Sequence, residues 1–410
     1  MKPSPARVLV VSPLFHTDRG GLGRQAVLLT ERLAEAGARP LVATRLMRGL
    51  PARRFSALVE RFELAAGRPE VHNYEEPDLE NLLTSLRFCG QLWRLMLARR
   101  RDYDVIHVHG ASLPFLAALP LARLLGKRVI GKVAALDQGV EAGDLAGHWG
   151  PLGPALARLA ASSDAFVATT EEIAAALQGE GVPREKIVRL PNFVDTSRFH
   201  PLPPAEREAL RAELGWSGRP VALCAGRLAE RKNVDLLLRA FAEAQDALAE
   251  QRPLLAIAGD GPERERLLAL RDELGLSEDE VAFLGFERRI ERLYQAADLL
   301  VIASRVEGLP NALLEGMSCG LPVLATRLGG ARDVIAPQEQ GLLIEPGSVD
   351  ALRAGLLELL GDPARRQAMG EAAAERIRER FTLGAIAPRY LDLYARLRAG
   401  QAPRPAGLSS

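Results

Sequence analysis

The chain has 410 residues, 48% of them hydrophobic, and a formal net charge of +1 from 53 basic and 52 acidic side chains. That length holds two domains with full cores, and the near-zero charge provides no basic field for nucleic acid. Cys89, Cys224 and Cys319 are far apart and set in apolar text, so they read as buried reduced thiols of a cytoplasmic protein, not as a disulfide or zinc framework. The longest apolar region, residues 111–125, is broken by Pro114, Pro120 and Arg123, so no membrane span is expected. Lys2 and Arg7 precede an apolar run of strand length, too short for a signal peptide.

Residues 7–12 read as a strand around the unbroken apolar run 8–11, the pattern of a strand buried on both faces of a parallel sheet. A Gly-rich turn at 19–23 follows, then helical periodicity over 25–36 closed by Gly37, then a strand at 41–44. This opening is Rossmann-like, but its GGLG is not G-x-G-x-x-G, so a dinucleotide is not the expected ligand. Residues 78–101 predict a long helix with Leu79, Leu82, Leu83, Leu86, Trp93 and Met96 or Leu97 on one broad face, and a basic tail of Arg99, Arg100 and Arg101. Two readings of that face stay open: packing on the core, or contact with a membrane surface.

Residues 104–108 form the next predicted strand. Asp102 and Asp104 make a D-x-D string at its N-terminal end, whereas ligands gather at C-terminal ends, so a solvated turn is expected there. His109 stands at the C-terminal edge, and alternation puts His107 on the same side. A strand at 129–133 contains Lys132 and leads into a polar loop with Asp137, Glu141 and Asp144. Further strands are expected at 165–169 and 187–190. Residues 200–220, with Pro201, Pro203, Pro204 and a charged helix, read as an interdomain linker.

A second Rossmann-like unit begins at residues 221–225. The turn GRLAERKN carries Arg227 and Lys232 into a helix from about Val234, a geometry that aims a loop and a helix N-terminus at an anion. A strand at 254–258 runs into GDGPERERL, with Gly259 and Asp260, and a strand at 281–284 runs into Gly285 and Phe286. The most informative stretch comes next: a strand-like run at 299–303, the segment SRVEGLPNALLEGMSCG, and another strand at 321–326. Pro310 suits the first turn of a helix. Glu307 lies in the loop, Glu315 in the helix, and seven residues separate them. The final helix is expected to include 390–397, and 401–410 reads as a disordered tail.

The text LYQAADLLVIASRVEGLPNALLEGMSCGLPVLATRLGG resembles the E-x7-E element of retaining glycosyltransferases of the GT-B fold, family 4 (glycosyl transferases group 1). The resemblance covers nearly the whole chain and is strongest over 221–330. It implies an α/β architecture of two Rossmann-like β/α/β domains facing across a deep cleft. The acceptor domain would span 1–200, with a C-terminal helix at about 385–400 packing back on it. The donor domain would span 201–384. The implied reaction moves a sugar, with retention, from a UDP- or GDP-sugar to a hydroxyl of a sugar or lipid-linked glycan in cell-surface polysaccharide or glycolipid synthesis. No metal or other cofactor is required, and the enzyme would work in the cytoplasm with peripheral contact at the inner membrane.

The resemblance also implies roles. Arg227 and Lys232 match the diphosphate-binding pair and, with Glu307, form the implied catalytic set. Gly21, Gly259, Asp260, Phe286, Gly308, Leu309, Pro310 and Glu315 match nucleotide-sugar contacts, Glu315 at the ribose and Glu307 at the sugar. Gly20, His109 and Lys132 fall on the acceptor side. The chain departs from the pattern near Ala134, where many members carry a His, and at Phe193, where a Gly commonly follows the Pro–Asn pair. Three alternatives remain: a catalytically degenerate GT-B partner subunit, another GT-B enzyme such as an epimerase or phosphorylase, and a Rossmann oxidoreductase. The phosphorylase cofactor-lysine pattern and the oxidoreductase fingerprint are both missing from the sequence.

Overall fold

The structure is a computed structural model that describes residues 7–13, 15, 21–45, 59–64, 79–134 and 153–404, without the side chains of 79–82. The chain divides into two compact units, Met1–Asn192 with Leu383–Ser410, and Phe193–Thr382.

The first unit is built on a parallel sheet of β1 (Val8–Val11), β2 (Leu41–Arg45), β3 (Glu60–Leu64), β4 (Val105–His109), β5 (Arg128–Val133), β6 (Ala165–Ala168) and β7 (Ile187–Arg189). Its order is β3-β2-β1-β4-β5-β6-β7, and every pairing is parallel. β1 and β4 are buried along their whole length; β1 is accordingly an apolar run without alternation, whereas β4 carries two buried histidines, His107 and His109. β3, ERFEL, is a strand that sequence periodicity misses, because its charges suit an edge position and not a core. The helix Gly21–Glu35 starts at Gly21, so most of the expected glycine turn is the helix's first turn. It stops at Gly37, at φ +86°, where the Gly37 and Ala38 amides donate back to Ala34 and Leu33 at 3.0 and 2.9 Å. The final helix, Leu383–Arg398, belongs to this unit and buries Tyr390 and Tyr394 in it.

The second unit holds β8 (Val221–Ala225), β9 (Leu254–Ala258), β10 (Val281–Gly285), β11 (Leu299–Ile302), β12 (Val323–Thr326) and β13 (Gly341–Ile344), in the order β10-β9-β8-β11-β12-β13. The direction of strand succession reverses between β8 and β11. Ligands of open parallel sheets bind at such a reversal, outside the carboxyl ends of the strands.

The stretch expected to be a linker is instead part of this second unit. The helix Pro204–Leu214 ends at Gly215, at φ +71°. Arg211, 5% exposed, donates to the Ala296, Trp216 and Arg219 carbonyls and, at 3.0 Å, to Asp298. Asp298 also accepts from the Val221 amide at 2.8 Å and from Arg207 at 2.6 Å. Charges that look solvated in sequence are tied into one partly buried knot at the start of β8.

Candidate functional site

The carboxyl ends of β8 and β11 flank the reversal point of the second sheet. After β8 the chain turns at Gly226, φ +151°, passes Arg227, and makes a short 3-10 turn, Glu230–Lys232. Asn233 then takes a left-handed conformation, φ 49°, and the helix Val234–Ala244 begins. After β11 the loop carries Ser304 and Glu307 to Pro310 and the helix Asn311–Ser318. The first-turn amides of both helices have no intrahelical acceptors.

These loops interlock with the one after β9 through their backbones. The Gly226 amide donates to the Ala258 carbonyl at 2.9 Å, Leu228 to Asp260 at 3.0 Å, and Glu263 to Leu228 at 3.2 Å. The Arg305 amide donates to Arg231 at 2.8 Å, which ties the β11 loop to the β8 turn. No side chain fits between backbones this close. A Cβ on Gly259 would lie 1.7 Å from the Gly226 oxygen, and one on Gly330 would lie 2.5 Å from the Gly308 oxygen.

Charge is arranged on this frame. Lys232 is ion-paired with Glu307 Oε1, which also accepts from Ser304 Oγ at 2.9 Å. Arg231 Nη1 lies 3.8 Å from Glu307 Oε2. Arg227 is exposed, and its guanidinium has no hydrogen-bond or ion-pair partner among the described residues. A cavity of about 20 Å³ lies between Gly226, Arg227, Lys232, Ser304 and Pro310. Glu315 is buried in its helix, 6% exposed.

The structure therefore joins Lys232 to Glu307 directly, sets the Arg227 turn on the Gly259–Asp260 loop, and holds Gly308 against Gly330, whose amide donates to the Gly308 carbonyl at 2.9 Å. Leu309 is buried, and Phe286, just beyond β10, is 57% exposed. Ser304, Arg231 and Gly330 are the site residues that sequence reading missed. Ser304 had one usable signal: it opens the same loop three positions before Glu307.

The candidate residues of the first unit, Gly21 from the nucleotide-sugar set and Gly20, His109 and Lys132 from the acceptor side, are placed differently. Gly21 begins a helix of the first unit, and Gly20, Asp137, Glu141 and Asp144 lie outside the described residues. His109 and Lys132 are 1% and 0% exposed, so neither reaches solvent. The reason is tertiary: the final helix brings Tyr394 to within 2.7 Å of His107 Nδ1, and the His107 and His109 rings sit 4.4 Å apart beneath it. Burial, with the nearby Lys132 charge, lowers His107 to about 3. Burial likewise holds His109 well below the ordinary imidazole range, with His107 and Lys132 adding to it. Lys132 Nζ donates to Asn192 Oδ1 at 3.0 Å.

The D-x-D aspartates are both engaged, Asp104 by Arg7 and Asp102 by Arg99. Among the described residues, no group of three or more His, Cys, Asp and Glu is placed to hold a metal ion. The helix Leu79–Ala98 buries Phe88, Leu92, Leu95 and Met96, whereas Leu83, Leu86, Trp93 and Leu97 stand 43–51% exposed. The residues expected on one face are thus divided, with Met96 inside and its neighbour Leu97 outside. Among the described residues, no helix is long and apolar enough to cross a membrane.

Comparison with known proteins follows the two units. The sequence profile described as "Glycosyl transferases group 1" matches residues 206–376, and that described as "Glycosyltransferase Family 4" matches 19–198. The chain is 31% identical, over 77% of its length and 85% of the relative's, to a GDP-mannose-dependent alpha-(1-6)-phosphatidylinositol monomannoside mannosyltransferase of Mycolicibacterium smegmatis. It is 30% identical to the 2-deoxystreptamine N-acetyl-D-glucosaminyltransferase of Streptomyces fradiae, over 95% of this chain and 93% of that one. Among solved structures, sucrose-phosphate synthase from Thermosynechococcus elongatus superposes with a TM-score of 0.81 at 24% identity, covering 96% of this chain and 100% of that one.

Proposed function

The chain belongs to the group 1 glycosyltransferases, family 4, enzymes of the GT-B fold, and from that premise we propose that it moves a sugar from a nucleotide-diphosphate donor to a hydroxyl acceptor with retention of configuration. The observation that carries this reading is the cationic turn after β8, with Arg227 unpaired among the described residues and Lys232 in contact with Glu307, at the reversal point of the second sheet.

The bond from the anomeric carbon to the phosphate oxygen breaks, and the leaving diphosphate gains negative charge. Arg227, Lys232 and first-turn amides of the neighbouring helices stabilise it. By analogy with an oxyanion donor, each cation contributes about 3 kcal/mol. Glu315 takes hydrogen bonds from the ribose hydroxyls, and Glu307 faces the sugar. The acceptor hydroxyl attacks from the face the diphosphate leaves, and its proton passes to the departing phosphate oxygen. These cations do the neutralising work, so the reaction needs no metal. The name of the mycolicibacterial relative supports a GDP-sugar, with a UDP-sugar as the other donor to test.

The acceptor is a lipid-linked or surface glycan, handled at the cytoplasmic face of the membrane. The exposed Leu83, Leu86, Trp93 and Leu97, beside exposed Arg87, Arg94, Arg100 and Arg101, support contact with an anionic bilayer surface. NMR of the product's anomeric centre tests the chemistry. The donor's configuration is expected to persist, and an inverted product would end the proposal of front-face attack.

A further inference from the structure

Lys232 holds its ammonium over Gly226, where an added Cβ would lie 3.7 Å from both Cε and Nζ. That ammonium is already neutralised by Glu307. The carboxylate is held from a second side by Ser304 Oγ at 2.9 Å, and Arg231 lies 3.8 Å from its other oxygen. The two side chains are only 19% and 12% exposed. Lys232 lines the adjoining cavity together with Gly226, Arg227, Ser304 and Pro310. A diphosphate reaching Lys232 therefore meets a cation with its charge spent and a carboxylate that repels it. In a partly dehydrated site that repulsion is felt more strongly than in water.

We propose that Glu307 is a resident counter-ion of the donor site: it occupies Lys232 when the site is empty and gives that place to the donor's diphosphate, which frees its carboxylate for the sugar. This rests on the reading of the second unit as a nucleotide-sugar site. The exchange is non-covalent. It makes the site discriminate between donor and by-product, because an intact nucleotide sugar offers hydroxyls to the displaced carboxylate and a bare nucleoside diphosphate does not. The spent diphosphate is thus pushed out as Glu307 returns to Lys232.

Isothermal titration of the full chain with UDP, GDP and their sugars, on wild type, Glu307→Gln and Ser304→Ala, tests the exchange. The nucleoside diphosphate that binds wild type is expected to bind Glu307→Gln roughly three- to tenfold more tightly, the size of one partly shielded charge interaction. The preference for the sugar nucleotide over the bare one should shrink in the same variant. Ser304→Ala, which loosens the carboxylate and keeps its charge, should move the same way by less. If Glu307→Gln does not fold, the Ser304→Ala comparison decides. Unchanged or weaker diphosphate binding in the folded variants overturns the exchange while leaving the donor site in place. Failure of wild type to bind either nucleotide would remove the donor-site reading and the exchange together.

Discussion

Gly259→Ala is the sharpest structural perturbation of the site, because it changes one methyl and touches no charge. The added Cβ would stand 1.7 Å from the Gly226 carbonyl oxygen. Carbon–oxygen contacts of this kind settle near ~3.3 Å, so the two loops must part by about 1.6 Å. That motion puts at risk the Gly226–Ala258 and Leu228–Asp260 backbone bonds, now 2.9 and 3.0 Å, at about 1 kcal/mol each. Alanine must also adopt the φ of +142° that Gly259 holds, for a further ~1–3 kcal/mol. The total is about 3–5 kcal/mol, concentrated in the second unit. Urea unfolding followed by circular dichroism, with nucleotide titration of the native variant, would show an earlier transition and lost affinity. An unchanged transition with wild-type nucleotide affinity would mean that the β8 and β9 loops do not interlock as described.

Arg211→Met should destabilise the second unit by roughly 3–5 kcal/mol, since it leaves the Trp216 and Arg219 carbonyls without this donor and Asp298 with Arg207 as its one remaining guanidinium; thermal unfolding checks this. Acidification should weaken the first unit. His107 titrates near 3 when folded, so between that value and the ordinary ~6.5 the unfolded chain binds more protons and stability falls as pH falls. The contribution is complete above about pH 6.5, and its slope reaches ~1.4 kcal/mol per pH unit for each such imidazole. Melting midpoints from pH 7.5 to 5 should drop, and less steeply in His107→Gln. Sugar transfer should persist after exhaustive EDTA treatment; loss of activity restored by a divalent cation would contradict charge neutralisation by Arg227 and Lys232.

Much of the site was legible because its elements are local. Strands such as β8 and β11 are short aliphatic runs buried on both faces, and the helix after Pro310 begins where proline allows it. Glycines 226 and 259 could be read as turns, but not as two backbones pressed together, since that contact joins residues 33 positions apart. The polar residues misread were those whose fate is tertiary. Arg211 sits in a charged, proline-flanked stretch that resembles a linker until Asp298 is placed beside it. His107 and His109 stand at a strand's carboxyl edge, where a ligand face is expected, yet both are buried, His107 against Tyr390 and Tyr394 of the chain's last helix. β3 failed for the opposite reason, because an edge strand keeps its charges and its apolar alternation is only two residues long, Phe62 and Leu64.

The central claim is that the second unit seats a nucleotide diphosphate on Arg227 and Lys232. Thermal-shift binding with UDP, GDP, ADP, dTDP and CDP, alone and as sugars, on wild type and Arg227→Ala, tests it most directly. A ligand at 100 times its Kd adds about 2.7 kcal/mol to apparent stability, enough for a clear rise in melting midpoint. The expected result is stabilisation of wild type by one nucleotide family, lost in Arg227→Ala. Equal stabilisation of both proteins, or none of either, would contradict it.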